Sequence, residues 1–68
     1  MCNRELAITA LFNNMPSELK GELTKAFEDH PRLRGYFNEG HFMTLYVALN
    51  GEGLGELRNR LMDHIASL

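Results

Sequence analysis

A chain of 68 residues and 7.8 kDa has room for one domain and sits near the lower size at which a single hydrophobic core sustains a fold. Its apolar fraction of 44% and charged fraction of 24% are those of a globular protein and exclude a disordered or low-complexity chain. A net charge of −2 with a pI near 5.8 makes this a mildly acidic protein and weighs against a main task of neutralising a phosphate backbone.

Asn3, Arg4 and Glu5 interrupt the start before an apolar run can develop, so no secretory leader is expected there. The first helix is predicted from about Arg4 to Asn13, with Asn3 as N-cap and Glu5 in the first turn, where the helix dipole favours a carboxylate. Ile8, Leu11, Phe12 and Met15 follow the i, i+3, i+4, i+7 spacing of one face. Leu6, Ala7 and Ala10 widen that stripe, so the helix is expected to be well buried. Asn13, Asn14 and Pro16 then break the pattern, and proline suits the first turn of a second helix. That helix runs to about Asp29, with Leu19, Leu23, Ala26 and Phe27 as its apolar stripe and charged residues on its other faces.

Pro31 disfavours helical geometry at His30 and opens a third, short helix, in which Leu33, Tyr36 and Phe37 repeat the same spacing until Asn38 and Gly40 end it. The run from Phe42 to Leu49 has two readings. As a helix it puts Phe42, Leu45, Tyr46 and Leu49 on one face and stops at Asn50-Gly51; as a strand it lacks an evident partner in the chain. The helical reading is preferred. The last helix carries Leu54, Leu57, Leu61, Ile65 and Leu68, with Glu56 and Arg60 as an i, i+4 ion pair. The expected architecture is therefore a single all-α domain over residues 1–68, a compact bundle of four to five short helices, with α+β and one strand near 42–49 as the alternative.

The longest apolar stretch is less than half of what a bilayer crossing requires, so no membrane partner is expected. Cys2 is the only cysteine; no internal disulfide is possible, and a reducing cytoplasm fits best. Gly51-Glu52-Gly53-Leu54-Gly55 looks like a phosphate-binding turn, but the spacing is imperfect, a βαβ unit is missing and Glu52 and Glu56 would repel an anion. Plain turn chemistry is the preferred reading. His30, His41 and His64 lack metal-ligand spacing. Ser17 falls at a helix start and Ser67 at the chain end, and a domain this small keeps little interior for a catalytic cleft. No enzymatic role and no cofactor or metal are expected.

Tyr36, Phe37, Phe42 and Tyr46 fall within eleven residues, and aromatic side chains dominate both cores and contact hot spots. Four rings, the methionines and every leucine stripe crowd so short a chain, which points to part of this surface facing a partner. The candidate contact residues are Tyr36, Phe37, Phe42 and Tyr46, with Arg32 and Arg34 as a polar rim. The functional expectation is a protein-protein interaction module, self-associating as a homodimer and acting as an adaptor or inhibitor of a larger protein. The alternative is a small dimeric DNA-binding regulator using the Pro31–Phe37 helix or Arg58, Asn59 and Arg60 on the last helix. A subunit that repeats in a larger assembly is a further possibility.

Overall fold

Proline and glycine divide the chain into helices at the places where each residue type is cheapest. The computed structural model describes residues 3–68, and Cys2 lies outside them. The helices are α1 (Asn3–Asn13), α2 (Ser17–Asp29), α3 (Pro31–Asn38), α4 (Phe42–Gly51) and α5 (Gly55–Ala66). Asn3 is the first residue of α1, one position inside the cap that the sequence suggests. His30 closes α2 and precedes α3 with an extended backbone, φ −135° and ψ 83°, which is the conformation a following proline imposes. Pro31 then opens α3, where its missing N–H costs nothing.

Both ends of α4 are set by the same device. After α3, the Gly40 N–H donates to the Phe37 carbonyl at 3.0 Å and the His41 N–H to that of Tyr36 at 2.8 Å. After α4, the Gly53 N–H donates to the Asn50 carbonyl at 3.1 Å and the Leu54 N–H to that of Leu49 at 2.9 Å. These paired bonds are Schellman closures, which need a left-handed residue at their centre. Gly40 (φ 73°) and Gly53 (φ 75°) supply it. The helix ends at Gly51, within the Asn50-Gly51 stop that the sequence suggests, and the left-handed residue that closes it is Gly53, two residues further on.

Among the described residues there is no strand. The 42–49 segment is helical and the α+β alternative falls, because capped helical ends satisfy backbone groups that a lone buried strand would leave unpaired. Each helix contributes at least two buried apolar side chains to one core: Ile8 and Leu11; Leu19, Leu23, Ala26 and Phe27; Leu33 and Phe37; Leu45 and Leu49; Leu57 and Leu61; Met15 joins them from the first turn. Full burial of one such large side chain is worth about 1.5–3 kcal/mol, so the core rather than helix propensity holds the elements. The helix α3 packs against α1, α2 and α4, while α5 packs against α2 and α4. The Cα radius of gyration of 11.1 Å matches the roughly 10.9 Å of a compact chain this long.

Two sequence expectations about faces fail. Leu6, Ala7 and Ala10 do not widen the buried stripe of α1; all three are exposed, Leu6 by 56%. The bundle meets α1 mainly along α3, so one face is covered and the opposite one stays wet. Leu68 is also exposed, beyond the end of α5.

Candidate interaction face

The helix α4 is apolar on nearly every side, and the bundle uses only part of it. Leu45 and Leu49, four residues apart, are fully buried between α3 and α5. Met43 and Val47, also four residues apart, are 80% and 65% exposed, and Tyr46 is 39% exposed. Beside this outer stripe, Tyr36 of α3 and Thr44, Val47 and Ala48 of α4 line an open groove that Met43 also borders. The result is a contiguous apolar surface on a helix whose opposite side is locked into the core.

The residues proposed from the sequence as a contact cluster separate in the structure. Phe37 is 2% exposed and is the hub of the core: its ring meets Phe12 edge-on with centroids 6.2 Å apart, Phe27 at 5.6 Å and Phe42 at 6.1 Å. All four phenylalanines, from four helices, thus converge on one point, and in the folded chain Phe37 offers no surface to a partner. Phe42 and Tyr36 are partly buried against that core, and Tyr36 keeps one edge on the groove. Tyr46 faces out. Arg32 is exposed where the groove continues past Tyr36 and Ala48 towards Glu52. Arg34 is exposed too, but a two-residue step on a helix turns it to another side, so the two arginines do not form one rim. Met43 and Val47, the most exposed residues of the surface, were not singled out by aromatic spacing; their signal is an i, i+4 pair on the side of α4 opposite Leu45 and Leu49.

Tyr46 is held by a residue distant in sequence. The Arg58 guanidinium of α5 lies 4.7 Å from the centre of its ring. Arg58 also donates from Nη1 to Asn50 Oδ1 at 2.6 Å, and from Nε and Nη2 to Asn59 Oδ1 at 3.0 and 2.8 Å. No comparison with known proteins assigns this face a role. No family model, curated protein or solved structure matches the chain.

Elsewhere several charges are paired within the fold. Arg60 does not close on Glu56; it pairs with Glu22 across α2 and α5. Its hydrogen bond holds the Glu22 carboxyl below the usual 4.5, and the carboxylate in turn raises Arg60. The geometric reason is that α5 lies against α2, which brings a carboxylate to Arg60 from a neighbouring helix. Arg4 pairs with Glu39 at 3.2 Å, and His30 Nδ1 lies 3.4 Å from a Glu52 oxygen. Within the glycine string, the amides of Glu52, Gly53 and Leu54 are occupied, donating to the last carbonyls of α4. His41 is exposed just ahead of α4, and the buried Nε2 of His64 has no hydrogen-bond partner among the described residues. Among the described residues there is no group of three or more His, Cys, Asp or Glu placed to hold a metal, and no helix long and apolar enough to cross a membrane.

Proposed function

We propose that this chain is a small non-enzymatic interaction module that acts as an adaptor or inhibitor by laying the outer face of α4 on a larger protein. One observation carries the reading: Met43 and Val47 are left four-fifths and two-thirds exposed on a helix whose opposite face is fully buried. Water-facing apolar stripes on a well-anchored helix cost solubility and are the usual substrate of helix-mediated recognition. Tyr46 and the accessible edge of Tyr36 add amphipathic aromatic surface of the kind found at contact hot spots. The single cysteine suits a cytoplasmic setting.

The test is capture from extracts of the cells that make the protein, with wild type and the Met43→Ser/Val47→Ser variant as baits. A protein retained by wild type and lost by the variant, with both baits melting alike, is the expected result. Equal retention on both baits, or no retained protein, would refute the assignment. Retention of random duplex DNA by wild type at low salt would instead favour the regulator reading.

A further inference from the structure

Arg58 is the one arginine of this chain whose guanidinium is immobilised by several contacts and yet meets no carboxylate among the described residues. Its three hydrogen bonds end on the neutral amide oxygens of Asn50 and Asn59, and its guanidinium carbon lies over the Tyr46 ring. Arg4 and Arg60, by contrast, are paired with Glu39 and Glu22, and among the described residues Arg32 and Arg34 have no side-chain hydrogen-bond partner. An arginine fixed in this way has already lost most of its side-chain freedom, so an incoming carboxylate would gain the charge-assisted bond at little entropic cost.

This cation lies at the C-terminal end of the apolar stripe. Val47 follows Met43 by four residues, and Asn50, which accepts from Arg58, follows Val47 by three. At 1.5 Å per residue the whole series covers about 10 Å along α4, or two turns. Resting on the reading of α4 as the contact face, we infer that the occupant of this face is an amphipathic helix of another protein that sets two apolar side chains, one turn apart, on Met43 and Val47 and places an Asp or Glu, within a further turn, on Arg58. A helix fits because the groove runs between α3 and α4 and the described residues present no strand edge to extend. A second copy of this chain fits poorly: in a twofold packing of α4 on α4 the facing segment, Phe42 to Gly51, contains no acidic residue, and Arg58 would stay without a counter-charge.

The test selects a display library of random helical peptides on the folded full chain, then measures the selected peptides against wild type, Arg58→Gln and Met43→Ser/Val47→Ser. The expected peptides carry an Asp or Glu within a turn of an i, i+4 apolar pair. They lose roughly ten- to hundredfold in affinity on Arg58→Gln, the range for a hydrogen bond to a charged group, and weaken as salt rises. Replacing the acid in the peptide by its amide should cost the same factor on wild type and almost nothing on Arg58→Gln, a coupling that does not depend on how stable the variant is. Peptides that ignore Arg58→Gln but are lost on Met43→Ser/Val47→Ser overturn this inference and leave the α4 reading standing. Peptides indifferent to both variants, or no selection at all, overturn the α4 reading itself. Arg58-dependent retention of duplex DNA, or Arg58-dependent doubling of mass, would assign the guanidinium to a phosphate or to a second copy and overturn the inference.

Discussion

The inner and outer faces of α4 are built from the same residue classes and meet opposite fates. Leu45 and Leu49 are sealed between α3 and α5, whereas Met43 and Val47, on the same ten-residue helix, stand in water. Hydrophobicity therefore places α4 in the bundle without saying which side turns inward. The direction is decided by the neighbours: α3 delivers Leu33 and Phe37 and α5 delivers Leu57 and Leu61, and the branched leucines of α4 complete that interior.

The sharpest way to break the comparison is to truncate matching residues on the two faces. Leu45→Ala or Leu49→Ala is expected to cost about 2–5 kcal/mol through lost burial and a cavity. Met43→Ala or Val47→Ala should stay within about 0.5 kcal/mol of wild type, as exposed sites do. Urea unfolding followed by circular dichroism measures both, and equal losses on the two faces would mean that the outer stripe is packed.

A smaller effect probes where α4 ends. Gly53 has a left-handed backbone, while Gly51 is helical and a Cβ there would meet nothing within 4 Å beyond its chain neighbours and its own helix backbone. Gly53→Ala should lower stability by about 1 kcal/mol and Gly51→Ala should raise it by about 0.5–1 kcal/mol. The reverse order in thermal melts would put the left-handed joint at Gly51, where the sequence suggests it.

The smallest expected effect lies away from α4, on the seam of α2 and α5, and serves as the control for a charge already compensated. The Glu22 carboxyl is held below its ordinary value by the hydrogen bond from Arg60. A folded-state value below the unfolded one contributes stability that is present above pH 4.5 and lost as the pH falls through the lowered value. Glu22→Gln should therefore flatten the acid limb of melting temperature against pH and leave neutral pH almost unchanged, because the pair is exposed and screened. An unaltered acid limb would show that the pair does not persist in solution.

Legibility in the sequence followed local contrast. The stripe of Leu19, Leu23, Ala26 and Phe27 alternates with charged residues, so α2 could be placed together with its buried face. Pro31 and Gly40 bound α3 by chemistry that any sequence displays. The apolar residues of α1 and α4 surround the helix, and the spacing of Leu6, Ala7 and Ala10 cannot reveal that α1 is covered along one side only. The aromatic cluster mixed two populations for the same reason: Phe37 is the centre of the core and Tyr46 is surface. The contact of the Arg58 cation with the Tyr46 ring and the pairing of Arg60 with Glu22 join different helices, and no spacing along the chain announces either.

The left-handed glycines on either side of α4 make it a cassette. Its tilt is fixed by backbone closures at Gly40 and Gly53 and by two leucines pointing inward, none of which involves positions 43, 46 or 47. Met43 and Val47 are free to be rewritten with little loss to the frame that carries them. Partner preference can drift, or be engineered, on a constant scaffold by exchanging side chains within two turns of a single helix.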